Sequence, residues 1–311
     1  MLSRRYLIAA AMAVGLAGPA FAQDAAPATK LPVVASFSIL GDFVKEVGGD
    51  RIAVSTLVGP NGDAHVFQPA PADAKKVAAA KVVFVNGLGF EGWMNRLIKA
   101  SGTKATIVVA TKGVAPRKME EEEGGHDHGK DAHAHEETDP HAWQSVANAK
   151  LYVANVRDGL IAADPAGKAT YEANATAYLA KLDALDAEVK AAIATIPAER
   201  RRIITSHDAF GYFGAAYGME FIAPQGVSTE AEASAKDVAK IIRQIKTEKI
   251  PAVFMENISD PRLVKRIADE TGAKIGGEVY SDALSDDKGP ASTYIDMIEN
   301  NIRAFSSALS S

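Results

Sequence analysis

Short apolar runs alternate with amphipathic segments over residues 31–110. Continuous apolar runs predict buried strands, and apolar positions three and four residues apart predict helices, with Gly and Pro at the boundaries. The predicted strands are 31–36, 52–58, 81–86 and 105–110, and the predicted helices are 39–47, 71–80 and 91–100. Strictly alternating strands and helices predict a parallel sheet with crossover helices, an α/β fold.

The same pattern restarts after residue 197. Strands are predicted at 202–205, 219–223, 252–256 and 274–280, and helices at 209–217, 236–248 and 261–271. Both halves end in the same order of predicted elements: helix, strand, short turn, helix and strand. The sequence therefore predicts two similar α/β lobes rather than one large sheet.

Between the two lobes the pattern predicts helix at 146–162 and then a longer helix. Asp164 is a candidate N-cap with Pro165 at the first helical position. If the second helix runs unbroken to Ile196, it spans roughly 50 Å, long enough to be a strut between the lobes. Two helices with an unmarked break are the alternative. The apolar positions of the predicted longer helix recur at helical spacing: Tyr171, Ala175, Tyr178, Leu179, Leu182, Leu185 and Val189.

The first 22 residues are typical of an export signal. Arg4 and Arg5 precede a short apolar stretch, and an A-x-A site ends at Ala22, so cleavage is expected near Ala22/Gln23. A retained N-terminal anchor is the alternative. No later segment is long and apolar enough to span a membrane, so we expect a soluble periplasmic protein.

Composition narrows the function further. The chain has no cysteine, so a metal site must use His, Asp or Glu. Residues 1–22 carry two Arg and no acid, so the net charge falls from −5 to −7 without them. This negative charge argues against nucleic acid as a partner. The remaining length is enough for two domains.

Seven histidines fall into two groups. His126, His128, His133 and His135 lie in an acidic, low-complexity run over 117–138, which predicts a loop that buries no core. His65, His141 and His207 are dispersed. His65 and His207 follow predicted strands, as does Asp282, and ligands of open α/β sheets bind beyond the carboxyl ends of strands.

Neutral imidazoles with one carboxylate are good ligands for Zn²⁺. His65 and His141 lie in the first half of the chain, and His207 and Asp282 in the second, so a shared metal ion would connect the lobes. A single His after a strand is more often a cap or surface residue than a ligand. The residues alone therefore leave a metal site and a structural role both open.

Six ordered segments decide between these alternatives by resemblance: GDAHVFQPAPAD, NGLGFEGWM, TDPHAWQSVANA, TSHDAFGYFGAAYG, GVSTEAEASAKDV and SDALSDDKGPASTYIDMIENNI. They resemble the successive motifs of the cluster A-I metal-binding proteins of ABC transporters, the ZnuA-like solute-binding family. The resemblance covers essentially the whole chain after the signal. It is strongest to the zinc-specific AztC subtype, which has a His-rich loop.

The resemblance implies two Rossmann-like lobes joined by one long rigid helix, with a metal site in the interlobe cleft. The lobes would span 31–163 and 198–311, with the connecting helix at 164–197. The implied ligands are His65, His141, His207 and Asp282, with a water in place of Asp282 as the alternative fourth ligand. Manganese-binding members commonly have Glu in place of His207, so His207 favours zinc. Because only neutral imidazole binds metal, affinity should fall as the pH drops through about 6.5.

The implied function is high-affinity zinc binding in the periplasm and delivery to an ABC permease in the inner membrane. We expect a monomer with no enzymatic activity, and a periplasmic zinc metallochaperone is a candidate second partner. A manganese-binding member of the family and a zinc-dependent hydrolase are the alternatives. The loop histidines are either low-affinity metal ligands or have no required role.

Several neighbours of the ligands have open roles. Asp63, Asp139 and Asp208 lie close enough in sequence to orient a ligand ring, although Asp beside Gly or Pro is more often a turn or cap residue. We expect the large aromatic residues nearby to pack in the core or against loops, with no ligand role. These are Phe90, Trp93, Trp143 and Phe210.

Overall fold

The structure is a computed structural model that describes residues 29–118 and 138–310. The predicted signal peptide therefore lies outside the described residues. So does most of the His-rich run, including His126, His128, His133 and His135. Within the described ranges, no helix is both long and apolar enough to cross a membrane.

The N-terminal lobe is a four-stranded parallel sheet with the strand order β2-β1-β3-β4. The central strands β1 and β3 are largely buried, which agrees with their continuous apolar sequence. The elements are β1 Leu31–Phe37, α1 Ser38–Gly48, β2 Ile52–Val58, α2 Pro71–Ala79, β3 Val82–Val85, α3 Met94–Ser101 and β4 Thr106–Val109.

A short ribbon and two helices lie between the two parallel sheets along the chain. Strands β5 (Arg117–Lys118) and β6 (Thr138–Asp139) pair antiparallel at the two ends of the His-rich run. Helix α4 is Val146–Ala163, and α5, Lys168–Ala194, is 27 residues long, about 40 Å. The helix is unbroken, and one stripe of its side chains is buried: Tyr171, Ala175, Tyr178, Leu182, Leu185, Val189 and Ile193.

The long helix starts later than its sequence predicts. Pro165–Gly167 form a 3₁₀ turn, and the side chain of Asp164 does not cap a helix. Its carboxylate instead accepts hydrogen bonds from the Arg51 guanidinium (2.8 and 3.0 Å) and from the Tyr171 hydroxyl (2.8 Å). A partner distant in sequence has thus replaced the predicted local cap.

The C-terminal lobe repeats the N-terminal topology. Its parallel sheet has the order β10-β9-β7-β8, so in both lobes the first strand lies between the second and the third, with the fourth beyond. This confirms the predicted α/β fold of two similar lobes. The elements are β7 Arg202–Ile204, α6 Gly211–Tyr217, β8 Glu220–Ile222, α7 Ala235–Glu248, β9 Ala252–Glu256, α8 Pro261–Thr271 and β10 Lys274–Val279.

Two helices begin later than predicted because residues before them have other partners. Helix α3 was expected from Glu91, but the buried carboxylate of Glu91 accepts the backbone N–H of Asn86 and the hydroxyl of Ser36, both at 2.6 Å. Helix α6 was expected from Ala209. The preceding backbone is held by Asp208, whose N–H is shared between the carbonyls of Gln225 and Gly226.

The last helix, α9 (Tyr294–Leu309), was not predicted and returns to the N-terminal lobe. Its first N–H, that of Tyr294, donates to Asp42 Oδ2 on α1 at 2.9 Å, and α9 also packs against α5. One hydrophobic cluster consequently includes residues of both lobes, such as Phe43 and Phe305. The two lobes are joined by a shared core as well as by α5.

Candidate metal centre

The four side chains implied as ligands lie after strands of the two lobes. His65 follows β2 through a turn, and His141 follows the short strand β6. His207 comes three residues after β7, and Asp282 three residues after β10. The carboxyl ends of parallel strands lie at one edge of a sheet, which explains the positions of His65, His207 and Asp282. His141 comes instead from the end of the antiparallel β5–β6 ribbon, so each half of the chain brings two of these side chains into the cleft.

Donor atoms of these four residues converge on one point. All lie within 4.8 Å of one another. His65 Nε2 is 3.3 Å from His141 Nε2 and 3.1 Å from Asp282 Oδ2. Asp282 Oδ2 is also 3.2 Å from His207 Nε2, and Asp282 Oδ1 is 3.5 Å from His141 Nε2. Among the described residues, this is the group of His and carboxylate side chains arranged to hold a metal ion.

The site is almost closed to solvent. Relative exposure is 0% for His141, His207 and Asp282 and 6% for His65. Burial of three imidazoles beside a carboxylate is costly unless their polar atoms have partners. A shared cation or shared protons can supply such partners at this position.

Two of the histidines are each clamped by a carboxylate at both backbone and ring. Asp139 Oδ1 accepts the backbone N–H of His141 at 2.9 Å and lies 2.9 Å from its ring Nδ1. Glu256 Oε1 accepts the backbone N–H of His207 at 2.9 Å, and its Oε2 lies 2.5 Å from ring Nδ1. That last contact is a close ion pair rather than a well-aligned hydrogen bond. We call His141 and His207 the clamped histidines.

Glu256 was missed by sequence reasoning. It is the last residue of β9, which pairs with β7 beside His207, and its side chain is fully buried. An acid at the carboxyl end of an otherwise apolar strand, AVFME, was the available signal. Carboxylates that hold ligating imidazoles in this way fix the tautomer and raise the basicity of the ligand.

The three aspartates considered as orienting groups have different roles. Asp139 does contact a ligand ring. Asp63 Oδ1 accepts the backbone N–H of His65 at 2.9 Å but does not contact the ring, which is the expected turn role. Asp208 makes no hydrogen bond or ion pair with a ligand ring among the described residues. Burial, followed by the nearby Asp139 carboxylate, raises the pKa of Asp208.

The nearby aromatic side chains support the loops, as predicted. Trp93 Nε1 donates to the carbonyl of Ala64, the residue before His65, at 2.7 Å. Trp143 Nε1 donates to the carbonyl of Ser281, the residue before Asp282, at 2.9 Å. These two hydrogen bonds position two of the candidate ligands through the backbone.

Electrostatics favour an imidazolium–carboxylate cluster without metal. Burial lowers the pKa of His141, but the Asp282 and Asp139 carboxylates outweigh it and raise this pKa to about 9. Burial likewise lowers the pKa of His207, but the Glu256 and Asp282 carboxylates outweigh it and raise this pKa to well above its ordinary value. Although burial raises it, the pKa of Asp282 is held well below its ordinary value by the two imidazolium groups.

Fold and site together define the class of this molecule: a metal-binding protein of two α/β lobes with its site in the cleft between them. The candidate ligand atoms come from both lobes, which are joined by one long helix and a shared core. Comparison with known proteins identifies the family.

The chain belongs to the ZnuA family, described as zinc-uptake complex component A, periplasmic, whose profile matches residues 33–308. It is 35% identical over 280 residues to the manganese-binding lipoprotein MntA of Halalkalibacterium halodurans, covering 90% of this chain and 89% of that one. It is 34% identical to the iron-binding protein YfeA of Yersinia pestis over 275 residues, 88% of this chain and 85% of that one.

Among solved structures, the periplasmic zinc-binding protein TroA from Treponema pallidum superposes with a TM-score of 0.82 and 31% sequence identity. The match covers 91% of this chain and all of that chain. The two-lobed fold is therefore that of the family. The chain is a metal-binding solute-binding protein of the ABC-transporter type, a class of binding proteins rather than enzymes, located outside the cytoplasmic membrane.

Proposed function

We propose that this protein binds one Zn²⁺ ion tightly through His65, His141, His207 and Asp282 and delivers it to an ABC importer. The observation that carries the proposal is the convergence of three Nε2 atoms and one carboxylate in a buried site. Bonds of 2.0–2.1 Å to a tetrahedral zinc ion place ligand atoms about 3.3 Å apart. Four separations of 3.1–3.5 Å among the donor atoms support this geometry, and all of the donor atoms lie within 4.8 Å of one another.

The donor set also supports zinc over manganese. Imidazole nitrogen suits zinc, whereas manganese prefers carboxylate, carbonyl and water oxygen. The names of the relatives do not decide the metal, because they include manganese, iron and zinc binders. Manganese binding is the second candidate, and its support is the 35% identity to a manganese-binding lipoprotein.

A competition titration tests the choice of metal. Purified metal-free protein is titrated with Zn²⁺ or Mn²⁺ against a chromophoric chelator. We expect one tight Zn²⁺ per chain and much weaker Mn²⁺ binding. His207→Glu should reduce the preference for zinc, because it replaces a nitrogen donor with oxygen. Tighter binding of Mn²⁺ than of Zn²⁺ by the unaltered protein would refute the zinc assignment.

The geometry gives less support to a zinc hydrolase. A catalytic zinc keeps one position open for water, whereas Asp282 is fully buried beside the three histidines and is available as a fourth ligand. We therefore propose a binding function without catalysis. Assay of the zinc-loaded protein on ester and phosphoester substrates tests this, and zinc-dependent turnover would contradict it.

We also propose that the four loop histidines, His126, His128, His133 and His135, form a low-affinity site outside the tight one. The loop begins and ends at the β5–β6 ribbon, beside Asp139 and the clamped His141. Deleting 119–136 should leave one tight zinc site and slow its loading when zinc is scarce. Loss of the tight site would show that the loop supplies ligands instead.

The remaining assignments are proposals of the same kind. The lobes span 31–163 and 198–311 about a connecting helix within 164–197, and the protein acts as a monomer. Its partners are the cognate permease and a zinc metallochaperone. Export by a signal cleaved near Ala22/Gln23 is supported by residues 1–22, and a chain without cysteine offers no thiol for a lipid anchor. N-terminal sequencing of periplasmic protein tests the cleavage site.

A further inference from the structure

The histidine His65 is held less firmly than the two clamped histidines. Its backbone N–H is bound by Asp63, but no carboxylate among the described residues contacts its ring Nδ1. The ring of Phe90 meets it edge-on, with centroids 4.7 Å apart, which restrains it only by packing. Rotation of the His65 ring therefore breaks no contact with a carboxylate outside the centre, whereas rotation of His141 or His207 breaks one with Asp139 or Glu256.

A solvent-connected cavity reaches the metal centre at His65. Its volume is about 470 Å³, and of the four proposed ligands only His65 lines it. The N-terminal lobe contributes Phe90 and Pro140 to its wall, and the C-terminal lobe contributes Val227 and Glu230. The cavity and the residual exposure of His65 place the least restrained ligand on the open side of the centre.

The second carboxylate oxygen of Asp63 reaches the other lobe. Thr229 Oγ1 donates to Asp63 Oδ2 at 2.6 Å, while Asp63 Oδ1 holds His65. Thr229 is itself positioned by Gln225, whose Nε2 donates to the Thr229 carbonyl at 3.2 Å. Gln225 in turn lies beside His207 in a parallel bridge. Asp63 thus couples the backbone of His65 to a segment that begins beside a clamped histidine.

We propose that His65 is the ligand that detaches first when metal leaves and binds last when it enters, and that the Thr229–Asp63 hydrogen bond slows this step. The inference rests on the proposed metal-binding function and adds the order of ligand exchange. Asp63 and Thr229 are positioning residues, since neither contacts the metal position. The clamped histidines and Asp282 hold the ion while His65 is released.

A kinetic experiment tests the coupling. The zinc-loaded protein is mixed with excess chelator, and the rate of zinc transfer is measured for the unaltered protein and for Thr229→Val. We expect release to be roughly 2- to 10-fold faster in the variant, the range that loss of one hydrogen bond produces, with one zinc still bound per chain. Thr176→Val, an exposed position on α5, is the matched control and should release zinc at the unaltered rate.

A labelling experiment tests the order directly. Zinc-loaded protein is treated with diethyl pyrocarbonate, which modifies free imidazole nitrogen, and modified peptides are quantified by mass spectrometry. We expect His65 to be modified before His141 and His207, and faster in Thr229→Val. Earlier modification of a clamped histidine would overturn the order.

Failure of the inference is distinguishable from failure of the proposed function. An unchanged release rate in Thr229→Val, or equal acceleration in Thr176→Val, would overturn the coupling while stoichiometric zinc binding remains. Absence of tight zinc binding by the unaltered protein would instead refute the proposed function.

Discussion

The backbone N–H of each proposed histidine ligand donates to a carboxylate. The three histidines differ in the contacts of their rings. Asp139 and Glu256 contact ring nitrogens, whereas Asp63 connects to the opposite lobe. The positions of these residues in the sequence made them candidates, but only the resemblance to the family predicted that they form one ligand set. The pairing of Glu256 with His207 was not, because it depends on β9 lying next to β7, 49 residues away in sequence.

Removal of the Glu256 charge should weaken zinc binding. Glu256→Gln keeps an oxygen for the backbone N–H of His207 but places a neutral amide near ring Nδ1. We expect a 10- to 100-fold loss of zinc affinity, the usual effect of losing a partner of a ligating histidine. Competition titration measures the change in zinc affinity. Glu220→Gln is the control, because Glu220 forms an exposed ion pair with Arg202. Equal affinities would show that the Glu256 charge does not act on the metal.

Zinc binding should release protons at neutral pH. With a pKa of about 9 in the metal-free protein, His141 is protonated below pH 9, and zinc must displace that proton. Affinity should therefore fall as the pH drops from about 9, well above the value of 6.5 expected from sequence. Calorimetric titrations with zinc at pH 7.5 in Tris and in phosphate are each calibrated by a titration of a chelator in the same buffer. The corrected heats should differ, because the two buffers take up released protons with different enthalpies. Identical corrected heats would mean that the centre is already deprotonated.

At the scale of elements, the hydrophobic pattern predicted most strands and helices of both lobes, because apolar periodicity is a local property. It did not predict α9 or its return to the N-terminal lobe. It also extended α5 to Asp164, whose carboxylate binds Arg51 of the N-terminal lobe instead. The apolar positions of α9 recur at helical spacing, so the helix itself was visible in the sequence. Its return to the N-terminal lobe and the later start of α5 depend on contacts between elements distant in sequence.

The contact between α1 and α9 gives a pH-dependent prediction. Burial raises the pKa of Asp42 from 3.8 to about 6, so the ionised form destabilises the folded protein. The penalty is absent below about pH 4, develops up to about pH 6 and is constant above it. Asp42→Asn should therefore raise the free energy of unfolding at pH 8 by up to about 3 kcal/mol, with little change at pH 4.

Urea denaturation at the two pH values measures this effect. Asp50→Asn is the matched control, because Asp50 is fully exposed and its ion pair with Lys30 is long, at 3.6 Å. A change in stability of the same size at pH 4 and pH 8 would show that ionisation of Asp42 is not the cause.

At the scale of the whole molecule, the lobes have little freedom to hinge. Helix α5 is continuous over 27 residues, and one hydrophobic cluster includes side chains of both lobes. We expect the structural change on zinc binding to be local, at His65 and its neighbours. Small-angle scattering of the metal-free and zinc-loaded protein should give closely similar radii of gyration, and a large compaction on loading would contradict a rigid connection.

The most direct measurement is anomalous diffraction at the zinc edge from crystals of the zinc-loaded protein. The account predicts one strong peak, 2.0–2.2 Å from the Nε2 atoms of His65, His141 and His207 and from one oxygen of Asp282. A zinc ion bound elsewhere, with these four side chains still contacting one another, would contradict it.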